Sequence, residues 1–276
     1  MKLSVVIAGS GAPENAFVVW RGYEASIRKA AAMGYQGVEL ALGGAEDVDA
    51  DALDAWLDET GLTVSCVSTG LVYAQRGLYM THPDPAKRAQ TVALFAGLAR
   101  LAQGHGGLIN VGRARGFVGE GQTRAEAEAL FLGCMAEILP EARARGVHII
   151  IEPINRYESN FLNSLDDAAS LLDRLPYDNV GIMADLFHMN IEDDDLAASL
   201  RRNARYVRYV HIADSNRRAP GMGHTDFAAV LNALEDIGYD GWLSAEVLPG
   251  GDADGTAAAV VRHMQPLLAR RGGGRA

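Results

Sequence analysis

Cysteine, aromatic residues and positive charge are all scarce in this chain, and each shortage narrows what it can do. Only two cysteines, Cys66 and Cys134, occur in 276 residues. They lie far apart with no CxxC spacing, so they read as reduced, buried thiols of a cytoplasmic protein rather than as a disulfide framework. Lys and Arg number 25 against 35 acidic residues, a net charge of −10. Neutralising a phosphate backbone needs a basic surface, so nucleic acid is disfavoured as the main partner, although a local positive pocket is not. No apolar stretch approaches the ~20 residues of a membrane helix, so no membrane partner is expected. The N-terminal MKLSVVIAGSGAPENAF has one Lys and a short apolar run and reads as a first strand, not a signal peptide. The same segment lacks a full GxGxxG pattern, which weakens a dinucleotide-binding open sheet.

What is plentiful is core material. Hydrophobic residues make up 49% of the chain and aromatics 7%. A core of small and branched side chains suits helices packed on a buried parallel sheet. Short β-branched runs occur at Leu3–Ala8, Gly37–Leu42, Thr63–Ser68, Gly107–Val111, His148–Ile151, Val180–Ala184, Val207–Ile212 and Gly241–Ala245. Stretches of helical periodicity separate them, among them Asp51–Thr60, Pro85–Ala102, Arg124–Arg145, Asp226–Ile237 and Thr256–Ala269. Glycines just past several of these, Gly34, Gly61, Gly146 and Gly238, punctuate the ends. Eight strand–helix units at roughly one per 35 residues predict a single-domain (β/α)8 TIM barrel. No linker or low-complexity block divides the chain, so the barrel is expected over residues 1–270, with 271–276 a frayed tail.

The later strands carry the chemistry. HIIIEP ends on Glu152, GIMADLFH on Asp185, RYVHIADS on His211 and WLSAEVLP on Glu246, at spacings of 33, 26 and 35 residues. Each falls in a successive βα unit, and the C-terminal strand ends of a parallel barrel converge on one face. Any one of them alone reads as a cap, an ion-pair member or a structural histidine. Four in phase predict one site, because a charge at the end of a buried strand is costly unless paired or metal-bound. Three carboxylates and one imidazole favour Mn2+, Mg2+ or Co2+ over a structural zinc. A cation chelating adjacent carbonyl and hydroxyl oxygens acidifies the C–H between them. Proton transfer then needs an acid and a base on opposite sides of that carbon, and Glu152 and Glu246 across the barrel mouth can serve. Glu158, His188 and Arg217 lie close by in sequence and can bind substrate hydroxyls or polarise the carbonyl. Arg113 and Arg115, in GRARGF, either contact an anionic substrate or form a solvated loop. Arg218 reads as solvated, and His224 as a loop residue.

The segments IEPINRYESNFLNS, ADLFHMNIED, VHIADSNRRAPGMGHTDF and SAEVLP resemble the second half of the xylose isomerase-like sugar isomerases and epimerases. The likeness is greatest to the D-tagatose 3-epimerase and D-psicose (allulose) 3-epimerase group. That resemblance implies a divalent metal, Mn2+ before Co2+ or Mg2+, held by Glu152, Asp185, His211 and Glu246, with C3 proton exchange by Glu152 and Glu246. It also implies a small-molecule sugar held near O1, O2 and O3 by Glu158, His188 and Arg217, with Cys66 lining the pocket. Related barrels form dimers or tetramers, so a homodimer or homotetramer fits the resemblance. The same apparatus also serves hydroxypyruvate isomerases, inosose isomerases and dehydratases, and sugar-phosphate epimerases. Apurinic-site endonucleases share the barrel, but their trinuclear zinc site needs more histidines than the seven present. The loops at 9–17, 70–80 and 112–121 are expected to set substrate length and polarity.

Overall fold

All eight β-branched runs become strands of one sheet in the computed structural model, which describes residues 1–272. These are β1 (Lys2–Ala8), β3 (Gly37–Ala41), β4 (Thr63–Ser68), β5 (Leu108–Val111), β6 (His148–Ile151), β7 (Val180–Asp185), β8 (Val207–Ile212) and β9 (Trp242–Ala245). Neighbours follow chain order, and a pairing between β1 and β9 closes the ring. Every pairing is parallel. The result is a closed (β/α)8 TIM barrel. One short strand was not anticipated: β2 (Trp20–Arg21) pairs with Ile7 and Ala8, beyond the stretch Lys2–Val5 that β9 occupies.

The surrounding helices are α1 (Tyr23–Met33), α2 (Ala50–Thr60), α3 (Val72–Arg76), α4 (Pro85–Gly104), α5 (Arg124–Ala144), α6 (Leu165–Leu172), α7 (Leu186–Glu192), α8 (Leu196–Arg202), α9 (Phe227–Asp236) and α10 (Ala253–Gly272). Local chemistry fixes their starts. Asp49, Asp84, Ser164, Asp195 and Asp226 accept backbone N–H groups as N-caps, and Thr123 with Glu126 forms a capping box. Helix α10 continues through Gly272, and the Arg271 side chain pairs with Glu235 at 3.2 Å and reaches Asn232. Residues 273–276 of the expected tail lie outside the described residues.

Alternation of the strands sends one set of side chains into the barrel and the other toward the helices. The outward set forms the large apolar layer, with Leu3, Leu40, Ile109, Ile149, Ile182, Val210 and Leu243 without exposed surface. The inward set holds a small apolar cluster, Cys66, Ile150, Met183 and Tyr209, on which the site rests. The Tyr209 hydroxyl sits among Ser65 Oγ (2.7 Å), Glu39 Oε2 (2.9 Å) and Ser4 Oγ (3.4 Å), so this floor is polar on the β1–β4 side.

Two glycines provide a test of how tightly the barrel is built. Gly106 and Gly61 both have positive φ, +77° and +70°. A Cβ at Gly106 would collide with the Val64 carbonyl, whereas one at Gly61 would meet nothing within 4 Å. Gly61→Ala is expected to cost about 1 kcal/mol from its backbone conformation alone, and Gly106→Ala about 3 kcal/mol or more. Denaturant unfolding of the two variants measures the difference, and equal costs would contradict the packing described.

Candidate metal centre

Asp185 shows how the strand ends build the site. It closes β7 and caps α7, its Oδ1 accepting the N–H groups of Phe187 (2.8 Å) and His188 (3.3 Å). Capping with one oxygen fixes the other, Oδ2, which stands 3.5 Å from His211 Nδ1. Glu152, just past β6, is held by Asn110 of β5, whose amide donates to Oε2 at 3.0 Å. Its Oε1 lies 3.7 Å from the same His211 nitrogen. Gly112 allows this close approach, since a Cβ there would come within 2.8 Å of Glu152 Oε2. Glu246, just past β9, completes the set with Oε2 at 3.8 Å from His211 Nδ1. One donor atom from each of Glu152, Asp185, His211 and Glu246 lies within 4.8 Å of the others.

His211 decides whether this set fits a cation. Its Nε2 contacts both carboxylate oxygens of Glu39, at 3.0 and 2.9 Å, and so carries the proton. Nδ1 is buried without a hydrogen-bond partner among the described residues, facing three carboxylates. A ring nitrogen aimed at three hard oxygen donors, with a carboxylate behind the ring to fix its orientation, is the arrangement of a histidine metal ligand once that nitrogen gives up its proton. The four residues can therefore hold a divalent cation of the Mn2+, Mg2+ or Co2+ kind.

The electrostatics agree. Burial raises the Glu246 carboxyl against the pull of Arg217 and His211, to about 7. Asp185 is lowered despite burial, by His188, His211 and Arg217, and Glu152 is lowered despite burial, chiefly by His211. Burial alone would lower the His211 imidazole, but Glu39, Glu246, Asp185 and Glu152 hold it well above its usual value. A proton is thus retained where a cation would sit.

The three residues expected to touch substrate ring the same place. His188 Nε2 is 3.8 Å from both Glu152 Oε1 and Asp185 Oδ2. Its tautomer follows from Asn155, whose Oδ1 accepts Tyr157 N–H at 3.0 Å and whose Nδ2 meets His188 Nδ1 at 2.7 Å. The amide donates to Nδ1, leaving the proton on Nε2, which faces the site. Arg217 is in the left-handed region with φ 59°, its guanidinium between the rings of Phe17 (3.8 Å) and Phe187 (4.7 Å). It pairs with Glu246 through Nη2, and Nη1 stands 3.5 Å from Glu158 Oε1. Among the described residues its Nε and Nη1 are buried without hydrogen-bond partners, donors free for a ligand oxygen.

Two expectations need correction. Cys66 does not line the pocket: it has no exposed surface, and its thiol lies in the inner cluster, nearest the Val67 and Leu108 carbonyls. Arg115 is neither solvated nor open to an anion. It is fully buried and donates to the carbonyls of Gly112, Phe161 and Leu162. Arg218 and His224 are exposed, as expected.

Several partners were missed. Glu39 had a visible signal, a charge in the middle of the apolar run GVELAL. Asn110 and Asn155 had none, because an amide reveals its partners only in three dimensions. Asp214 organises the loop bearing Arg217, its carboxylate accepting the N–H groups of Ser215 (2.8 Å), Gly221 (2.8 Å) and Thr225 (3.0 Å).

Residues 27–267 match the family described as Xylose isomerase-like TIM barrel. The chain belongs to that family. L-ribulose 3-epimerase of Mesorhizobium japonicum is 32% identical over 216 residues, 77% of this chain and 71% of the relative. The 2-oxo-tetronate isomerase of Cupriavidus necator is 29% identical over 250 residues, 87% of this chain and 91% of the relative. Among solved structures, an L-ribulose 3-epimerase superposes with a TM-score of 0.82 at 25% identity, covering 97% and 96% of the two chains. These relatives are epimerases and isomerases, and the chain is an enzyme of the isomerase class.

Two measurements test the centre. Removing the charge behind the ligand, Glu39→Gln, is expected to lower affinity for Mn2+ by roughly 10–100-fold. Calorimetric titration of metal-free protein reads this, and unchanged affinity would contradict the support assigned to Glu39. Binding must also displace the proton retained on Glu246, so Mn2+ affinity should rise with pH and release protons below about 7. The linkage has a definite sign. A folded value raised from 4.5 to about 7 gives stability to the metal-free protein below the lower value, lost as pH rises through the upper. Titrations in buffers of different ionisation heat count the protons, and none released at pH 6 would count against the assignment.

Proposed function

We propose that the chain is a metal-dependent ketose 3-epimerase, inverting C3 of a keto-sugar by exchanging its proton between Glu152 and Glu246. The observation that carries this reading is the placement of those two glutamates. They end β6 and β9 and flank the intervening ligands Asp185 and His211, each with an oxygen within 3.8 Å of the same imidazole nitrogen. A bound divalent cation, with Mn2+ preferred, supplies Lewis-acid polarisation of the substrate's carbonyl and neighbouring hydroxyl. The protein's own groups do the rest. Glu152, lowered and ionised, is the base on one face. Glu246, on the other face, is the acid when it carries a proton. The reverse direction exchanges the two roles. Arg217 offers Nε and Nη1, and His188 offers Nε2–H, to the oxygens that gain charge as the proton leaves.

A second reading is a carbonyl shift between adjacent carbons, favoured by the long match to the 2-oxo-tetronate isomerase. The two differ in product. NMR in D2O with Mn2+ and D-fructose, D-tagatose or L-ribulose should show deuterium at C3 and the C3 epimer. An aldose product with no C3 epimer would sink the first reading and support the second. Glu152→Gln and Glu246→Gln should each lower turnover by roughly 10²–10⁴-fold while keeping part of the metal affinity. Wild-type exchange at C3 in either variant would rule out the two-glutamate mechanism.

A further inference from the structure

Beside the metal centre a cavity of about 390 Å3 opens outward, lined by Tyr73, Arg113, Phe117, Arg156, Tyr157 and Glu158 among others. Its wall adjoins the site at two points. Glu158 touches Arg217, and Arg113 directly follows Gly112, the glycine packed against Glu152. A short 3-10 turn over Arg113–Arg115 fixes the loop, with Arg115 N–H bonded to the Gly112 carbonyl at 3.1 Å. Beneath it, Arg115 anchors the turn to the Phe161 and Leu162 carbonyls.

The charges around this cavity do not cancel. Arg156 is neutralised by Glu192 at 2.9 Å, and Glu158 is met by Arg217 and by the Asn155 amide. Arg115 has only carbonyl partners. Arg113 is exposed, and among the described residues its guanidinium has no carboxylate partner; it rests over the Tyr73 ring at 5.5 Å. Tyr73 is in turn braced edge-on by Phe117 at 5.9 Å. Three guanidiniums, those of Arg113, buried Arg115 and Arg156, thus stand around the cavity against Glu158 and the Glu192 behind Arg156, and Arg113 is the exposed one, in a chain of net charge −10. A stacked guanidinium keeps its donor edge free and is pre-oriented for a carboxylate or phosphate.

We infer that the cavity is an anion subsite, in which Arg113 binds a carboxylate or phosphate at the end of the keto-sugar remote from its carbonyl. This rests on the keto-sugar reading above and names its substrate class: acidic keto-sugars are preferred over neutral ones. Arg113 is then a specificity-determining residue, because it reaches the far end of the substrate and not the carbon whose proton moves.

Three sugars that differ only at C6 make the test: D-fructose, D-fructuronate and D-fructose 6-phosphate. Deuterium incorporation at C3 gives kcat/KM for each with the Mn2+-loaded enzyme. The ratio of an anionic sugar to D-fructose should be roughly tenfold or more in the wild type. It should fall by roughly the same factor in Arg113→Ala and by less in Arg113→Lys. Preference for fructuronate identifies a carboxylate, and preference for the phosphate ester identifies a phosphate. A wild-type ratio of one or below, or a ratio unchanged in Arg113→Ala, overturns the subsite while leaving the epimerase reading intact. If no sugar exchanges at C3, that reading fails instead. The subsite is then decided by calorimetric titration of inorganic phosphate and of D-gluconate into wild type and Arg113→Ala. Arg113-dependent binding of either upholds the subsite, and equal binding or none removes it.

Discussion

Three carboxylates converge on one buried imidazole nitrogen, and their mutual repulsion governs the architecture around the barrel mouth. Two like charges 4 Å apart repel by about 4 kcal/mol at the effective dielectric of a protein surface. Nothing in the strands themselves would keep Glu152, Asp185 and Glu246 together. Each is therefore restrained separately: Glu152 by an amide from β5, Asp185 by the helix it caps, and Glu246 by Arg217. Arg217 adopts a left-handed backbone conformation unusual for a side chain of its size, and Asp214 ties down the loop that holds it there. Local strain of this kind persists only where surrounding contacts over-determine the conformation. The opposing environments then separate two chemically identical glutamates into a readily ionised one and a proton-holding one.

The barrel was legible because its signal is repetitive. Eight β-branched runs at regular spacing left little freedom, and their bounds differ from the observed strands by one residue or so. The ligand set was legible for a related reason, since strand ends in phase share a face whatever the loops do. Residues whose meaning depends on register were not. The resemblance puts Cys66 in the pocket, yet it pairs with Glu39 below the rim, and its neighbours cover it. A register shift between Val38 and Glu39 also turns Ser65 toward Tyr209, and no sequence periodicity announces such a slip. Arg115 was misread because a loop arginine is ordinarily wet. Here three backbone carbonyls replace the water.

The second layer distinguishes this site from a chance cluster of acids. Glu39 supports His211 from behind, and Tyr209 and Ser65 hold Glu39 in turn. Asn155 spans His188 and Glu158, so one amide sets both an imidazole tautomer and a carboxylate position. The outer cavity is built from other segments. The metal ligands come from strands or strand ends, whereas the outer cavity is lined by the loops after β5 and β6 and by Tyr73 of α3. Such a division lets the chemistry stay fixed while the loops choose the sugar.

The contact between Glu39 and His211 joins residues 172 positions apart, one from the front half of the chain and one from the back. Neither half alone contains both the ligand and its support. The candidate centre is therefore complete only once the ring has closed. A ribosome-bound chain that had released only its first four strands would hold Glu39 without its imidazole. The finished centre is consequently a chemical record that the barrel has shut.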